Sequence, residues 1–120
     1  MNHLHFVQAL DPLRGGGLGK AALDLHESMV DLGEGSMLLT TAGEEDRDDD
    51  PTVVQLPRRG PDKAFFSPAM PSVVPALLEE AEIVHGHGFY VYLNAYLGSA
   101  ARRRDIPLVY HVHGIFEPWI

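Results

Sequence analysis

Two histidine pairs, each with one residue between its members and a glycine after it, are the groups in this chain best suited to chemistry. His85 and His87 lie in HGHG at residues 85–88, and His111 and His113 lie in HVHG at residues 111–114. Residues two apart in a strand share a face, so each pair could present two imidazoles to one ligand. Imidazoles bind zinc and also hydrogen-bond sugars and phosphates. The sequence therefore leaves three uses open: a metal site with Glu117 as the one well-placed carboxylate, sugar or phosphate hydrogen bonding, and purely structural histidines.

A glycine-rich segment, RGGGLG at residues 14–19, is a second candidate site. A P-loop ending at residues 19–20 would need glycine where Arg14 stands and a hydroxyl where Ala21 stands. A dinucleotide-binding fingerprint ending at Gly19 also fails at residue 14. Two interpretations remain: backbone N–H groups and a helix N-terminus that contact a phosphate or diphosphate, or a tight turn that seats the following helix on the sheet.

Strands and helices alternate along the chain and must position these groups. Period-two and bulky apolar patterns predict five strands. In chain order they are residues 3–10, 36–41 and 52–56, a fourth strand that begins at residues 82–85, and residues 107–111. Apolar residues at helical spacing predict three helices. The first covers residues 19–32, the second runs from Ser72 as N-cap to about residue 81, and the third runs from about residue 93 to the arginines at 102–104. Gly33 is the expected residue after the first helix, and His26 is expected on that helix's surface.

This alternation predicts a three-layer, Rossmann-like open parallel sheet with strand order 3-2-1-4-5. Ligands of such sheets bind beyond the carboxyl ends of the strands, where the strand order reverses. The glycine segment and both histidine motifs follow predicted strands, so we expect them to meet at that edge. His3, His5 and His26 lack this context.

Composition narrows the class of protein. Seventeen acidic residues against nine Lys plus Arg give a net charge of -8, which argues against nucleic acid as a partner. The absence of cysteine excludes disulfides and thiolate sites. No apolar run is long enough for a membrane span, so a soluble, cytoplasmic protein of one domain is the expectation.

Several segments together resemble a known family. They are the glycine segment with the helix LDLHESMVDLG at residues 23–33, the segment IVHGHG at residues 83–88, and IPLVYHVHGIFEPW at residues 106–119. This chain closely resembles the amino-terminal half of family 4 glycosyltransferases of the two-Rossmann-domain (GT-B) type. The most specific part is the last, an aliphatic strand that runs into H-G, two apolar residues, an acid, and P-W.

The resemblance implies roles for individual residues. Gly15, Gly16 and Gly17 would allow close approach of the donor diphosphate, and His113 would be the catalytic residue, hydrogen-bonded to the transferred sugar. His87 and Glu117 would line the acceptor side. His111 stands where the family often has a small or apolar residue, so we expect it to be structural. The resemblance implies a retaining, hexosyltransferase-like enzyme of polysaccharide biosynthesis, which needs no metal or other cofactor because the nucleotide-sugar is a substrate.

The same resemblance sets expectations for the whole enzyme. Its partners would be the nucleotide-sugar donor and a glycan or lipid-linked acceptor, and the parent enzyme could contact the inner membrane peripherally. Residues 1–120 would be a partial amino-terminal domain, with the carboxyl-terminal donor-binding domain absent. Such a fragment should be inactive alone and inclined to self-associate through uncovered apolar surface. The alternatives are a non-catalytic Rossmann-like binding module and a metal-dependent hydrolase that uses the His-x-His pairs.

Overall fold

The computed structural model describes residues 1–10, 16–42, 50–59, 67–88 and 92–111. These residues form five strands and three helices in the order β-α-β-β-α-β-α-β. The strands are β1 (Asn2–Phe6), β2 (Gly35–Ala42), β3 (Val53–Pro57), β4 (Ile83–His87) and β5 (Leu108–His111). The helices are α1 (Gly16–Asp31), α2 (Met70–Glu80) and α3 (Tyr92–Arg103).

All five strands are parallel and lie in the order β3-β2-β1-β4-β5, which confirms the predicted topology. The strand order reverses between β1 and β4, the two neighbours at the centre of the sheet. This arrangement places the carboxyl ends of β1, β4 and β5 next to one another along one edge. The predicted meeting place of the three motifs therefore exists as an edge of this sheet.

The two faces of the sheet carry different cores. Leu4 and Phe6 of β1 pack with buried residues of α2 and α3, including Val74 and Leu97. On the other face, Val7 packs with Ala22 of α1 and with residues of β2 and β3. The three layers are thus α2 with α3, the sheet, and α1, which confirms the predicted Rossmann-like architecture.

Helix α1 begins at Gly16, three residues before the predicted start, so Gly17 and Gly19 lie inside the helix. The predicted helix start at residue 19 was wrong. The end of α1 agrees with the prediction: Gly33 has φ +83°, and the N–H groups of Gly33 and Glu34 donate to the carbonyls of Val30 and Met29. This pair of hydrogen bonds is a Schellman motif, which requires a residue such as glycine at positive φ.

Helix α2 also begins earlier than the sequence pattern predicts. Its N-cap is Ala69, not Ser72, and the Ser67 Oγ accepts a hydrogen bond from the Ala69 N–H at 3.2 Å. Ser72 and Pro75 are therefore both inside the helix. The predicted start is too late because Pro71, a residue that suits the first turn of a helix, precedes the predicted cap at Ser72.

Helix α3 ends in the predicted arginine segment. Arg104, one residue past the helix, donates from Nη1 to the Ala100 carbonyl at 3.2 Å. A cation in that position satisfies a terminal carbonyl and complements the helix dipole. This contact agrees with the prediction that the helix ends at the arginines.

Candidate active site at the carboxyl edge of the sheet

The first turn of α1 and the ends of β4 and β5 come together at the carboxyl edge. The Gly88 N–H donates to the His111 carbonyl at 3.1 Å, and the register pairs His87 with His111. Gly88 has φ +80°, and a Cβ at this position would lie 3.0 Å from the Leu18 Cδ2 atom of α1. Gly88 therefore allows α1 to approach the end of β4.

Two glycines of α1 meet different surroundings. A Cβ on Gly19 would collide with the carbonyl oxygen of Ala9, whereas a Cβ on Gly17 would have no atom of the described residues within 4 Å. Gly19 is thus explained by the seating of α1 against the segment after β1. Gly17 faces open space, so packing does not explain it and a ligand could approach the backbone there.

The predicted site residues are only partly within the described chain. Gly16 and Gly17 lie in the first turn of α1, and His87 is the last residue of β4. Gly15, His113 and Glu117 lie outside the described residues, so their roles stay predictions. His87 is 1% exposed, so its imidazole lies beneath the edge and not on its surface.

Sequence reasoning missed a larger feature, a group of five histidines on the α1 face of the sheet, which we call the histidine row. They come from the three neighbouring strands β1, β4 and β5 and are His3, His5, His85, His87 and His111. Since β4 lies between β1 and β5, alternate residues of the three strands fall on one face. The predicted strand order, applied to the period-two histidines of β1, would have located the row.

Hydrogen bonds in the histidine row run diagonally, from each strand to the next. His3 Nδ1 lies 2.9 Å from His85 Nε2, and His85 Nδ1 lies 2.9 Å from His111 Nε2. A second diagonal joins His5 Nδ1 to His87 Nε2 at 3.1 Å. Each of these bonds needs one N–H and one bare ring nitrogen, so the tautomers of neighbouring rings are coupled.

Stacking contacts complete the row in the other direction. The rings of His5 and His85, which are register partners, have centroids 4.4 Å apart and planes 13° apart. His87 and His111 stack in the same way at 4.4 Å and 8°. The row is therefore a two-dimensional array in which lateral neighbours stack and diagonal neighbours hydrogen-bond.

The electrostatics of the row favour neutral imidazoles. Burial, with smaller contributions from the neighbouring histidines, lowers the pKa of His5 to about 2. Burial lowers the pKa of His85 to about 4, again with contributions from His111 and His3. A charged ring would lose its hydration and face other potential cations, so His5 and His85 stay neutral near pH 7.

His26 is not on the surface of α1, and that expectation was wrong. Its side chain is fully buried, with Nδ1 2.6 Å from Ser36 Oγ and Nε2 2.8 Å from Thr52 Oγ1. Burial lowers its pKa. His26 lies four residues after buried Ala22, on the apolar stripe of the helix. The spacing of apolar residues could therefore have predicted that His26 is buried.

The metal hypothesis gains no support from the described part of the chain. Within it, no three His, Cys, Asp or Glu side chains are placed to hold a metal ion together. The ring nitrogens of the row lie at hydrogen-bonding distance from one another and do not converge on a common point. The described helices also include none with the length and apolar character of a transmembrane segment.

Comparison with known proteins adds one positive finding. The family model described as Glycosyltransferase Family 4 matches residues 15–120. Neither the curated proteins nor the solved structures gave a significant match. The matched range includes the first turn of α1 and the ends of β4 and β5.

Proposed function

Because the chain belongs to glycosyltransferase family 4 and has its parallel α/β fold, we propose that it is the acceptor-side, amino-terminal part of a retaining GT-B enzyme. The enzyme transfers a sugar, of the hexose class, from a nucleotide-sugar to a glycan or lipid-linked saccharide. The observation that carries this proposal is the meeting of the α1 N-terminus with the ends of β4 and β5 at the switch point of the sheet. The donor-binding domain belongs to the rest of the enzyme.

The open space at Gly17 supports the donor side of the proposal. Backbone N–H groups in the first turn of α1 have no carbonyl partner within the helix, and the helix dipole adds partial positive charge there. A diphosphate placed against Gly16 and Gly17 would accept hydrogen bonds from these groups. The same interaction stabilises the diphosphate as it leaves with the electron pair of the anomeric C–O bond.

His113 and the acceptor residues complete the proposed chemistry. His113 hydrogen-bonds the transferred sugar near the reacting carbon, and Glu117 lines the acceptor side with His87 supporting it from beneath. The acceptor hydroxyl oxygen forms the new C–O bond, and its proton passes to an oxygen of the departing diphosphate. No metal or other cofactor takes part in this proposal, and the nucleotide-sugar is a substrate.

A substitution at His113 tests the proposal in the full-length enzyme. If the His113 contact strengthens in the transition state, His113→Ala should lower kcat about 10²- to 10³-fold and leave the donor KM nearly unchanged. The matched control is His26→Asn, which removes an imidazole from α1 and should lower the melting temperature but not kcat per folded molecule. Wild-type kcat in the His113→Ala enzyme would overturn the role of His113.

A further inference from the structure

Four side chains at the amino edge of the sheet are hydrogen-bonded in series, and we call them the Ser36 network. In order they are Asp50, Thr52, His26 and Ser36. Ser36 is the second residue of β2, Thr52 directly precedes β3, and His26 contacts both from α1. Because parallel strands all begin at the same edge, this network and the proposed glycosyl-transfer site lie at opposite edges of the sheet.

The chemistry of these groups fixes which one donates in each hydrogen bond. Thr52 donates its hydroxyl proton to Asp50 Oδ1 at 2.7 Å, and the Thr52 N–H donates to the same oxygen at 2.9 Å. A hydroxyl has one proton, so Thr52 Oγ1 must accept from His26 Nε2 at 2.8 Å. Burial lowers the pKa of His26, so the ring is neutral at pH 7 and its Nδ1 has no proton. Ser36 Oγ, 2.6 Å from that nitrogen, must therefore donate to it.

This assignment gives Ser36 the surroundings of an activated nucleophile. Its hydroxyl is hydrogen-bonded to a bare imidazole nitrogen, and the other nitrogen of that ring is held by a third group. His26 can take the Ser36 proton, Thr52 fixes the tautomer of the ring, and Asp50 fixes the Thr52 hydroxyl. The charge of Asp50 also acts against burial on the pKa of His26, so it stabilises the imidazolium that proton transfer forms.

A cavity of about 390 Å³ gives a small molecule access to this part of the sheet. Ser36 and Thr52 line it, together with residues from the ends of α1 and α2. Ser36 is 8% exposed, and its side chain consists of Cβ and Oγ alone, so a molecule that contacts this side chain lies within one bond of the hydroxyl. Val30, Met37 and Leu77 supply apolar walls. The cavity therefore suits a compact molecule with a short apolar part.

The charges at the cavity narrow the class of ligand further. Two carboxylates, those of Glu34 and Glu80, belong to residues that line it. Glu34 Oε2 is paired with the N-terminal amine at 2.9 Å, which compensates one of these charges. Carboxylates repel an anion, so the cavity favours a neutral molecule over a negatively charged one.

We propose that Ser36 is an acyl-accepting nucleophile, which takes an acyl group from a neutral activated ester in this cavity with His26 as general base. This reaction goes beyond the proposed glycosyl transfer and does not depend on it. Ser36 Oγ bonds the acyl carbon as its proton passes to His26 Nδ1. The alcohol oxygen of the ester leaves with the electron pair of the broken C–O bond and takes up that proton. The products are O-acylated Ser36, a free alcohol and neutral His26, with Thr52 and Asp50 as positioning residues.

Mass spectrometry of the protein treated with p-nitrophenyl butyrate tests the proposal without any sugar donor. Trypsin cleaves after Lys20 and Arg47, so Ser28 and Ser36 lie on one peptide, and its fragment ions assign the butyryl group to either serine. Ser28 is the matched control, because it is exposed on α1 and its hydroxyl donates to the Asp24 carbonyl, which is no base. In the folded protein we expect Ser36 to be butyrylated about 10²-fold faster than Ser28. In urea-unfolded protein the two rates should be equal.

Variants of His26 and Thr52 show whether the network is responsible for the reaction. His26→Asn removes the base and should lower the rate of Ser36 butyrylation about 10²-fold. Thr52→Val removes the hydroxyl that fixes the tautomer and should lower the rate about tenfold or more, whereas Thr52→Ser should keep it. Equal rates at Ser28 and Ser36 in the folded protein, no butyrylation of Ser36, or an unchanged rate in Thr52→Val would overturn the proposal. If His26→Asn does not fold, the comparison of the two Thr52 variants still decides.

Discussion

At the scale of single residues, the first turns of α1 contain a natural pair for comparison, Gly17 and Gly19. Gly19→Ala should lower the free energy of unfolding by about 1 to 3 kcal/mol, because its Cβ would collide with the Ala9 carbonyl oxygen. Gly17→Ala should raise it by up to about 1 kcal/mol, because its Cβ meets open space and alanine favours the helix. Urea denaturation of both variants measures these changes.

The same pair separates packing from ligand binding. If the donor diphosphate approaches Gly17, Gly17→Ala should weaken nucleotide-sugar binding by the full-length enzyme while raising its melting temperature. Isothermal titration calorimetry measures the first effect and calorimetric melting the second. Unchanged donor affinity in the stabilised variant would contradict the diphosphate role of this glycine.

The surroundings of individual side chains were the feature hardest to predict from the sequence. Residue type and spacing identified Gly17, His87 and His111 as members of one edge, but not the surroundings of each. The hydrogen bond of His26 to Ser36 and the joining of His3 to His85 depend on how far α1 lies over β2 and on the exact strand register. Such contacts arise between elements, and no local pattern encodes their distances.

At the scale of elements, the end of α1 offers a clean test of helix termination. Gly33→Ala should cost about 1 kcal/mol of unfolding free energy, because φ +83° strains any residue with a Cβ. The adjacent Leu32, 82% exposed, supplies the control, and Leu32→Ala should change stability by less than about 0.5 kcal/mol. Equal losses in both variants, measured by urea denaturation, would show that the Schellman geometry is not responsible.

Throughout the described chain, the sequence predicted which segments are helices and which are strands, but it predicted their first and last residues less accurately. Apolar periodicity located all three helices and five strands, because burial of one face dictates that period. The starts of α1 and α2 were predicted too late because glycine and proline suggest loops. In this chain Gly19 is required by a close approach and Pro71 suits a first turn, so both residues are compatible with helix.

At the scale of the whole molecule, the buried histidines predict sensitivity to acid. The pKa values of His5 and His85 in the folded state lie below the value of about 6.5 expected in the unfolded chain. The stabilisation from keeping them neutral is therefore complete above pH 6.5 and is lost as the pH falls toward about 4 for His85 and about 2 for His5. Between pH 7.5 and pH 5 each should cost about 2 kcal/mol of stability. His26 shifts in the same direction.

Urea unfolding at the two pH values tests this expectation. The free energy of unfolding should fall by about 4 kcal/mol or more from pH 7.5 to pH 5. His5→Gln removes one of the titrating groups, so the difference between the two pH values should shrink by about 2 kcal/mol in that variant. A wild-type protein equally stable at both values would contradict the buried, neutral state of the row.

The global fold was predictable because few topologies satisfy the rules for parallel sheets. Alternating strands and helices, short connections and right-handed crossovers left one natural strand order, and the structure has it. The site was predictable only as a location. The histidine row was not predicted, because it emerges only when three strands are placed side by side, and the roles of Gly15, His113 and Glu117, outside the described residues, stay predictions.

The central position of β1 also affects how the protein is made on the ribosome. This strand is synthesised first, and its partner β2 follows within about one helix and a turn, but its other partner β4 begins at Ile83. The N–H and C=O groups on one edge of β1 therefore stay without their β4 partners while about 75 further residues are translated. In that interval the nascent sheet can recruit a strand from another chain, so the rate of translation through residues 43–83 should influence the yield of native protein.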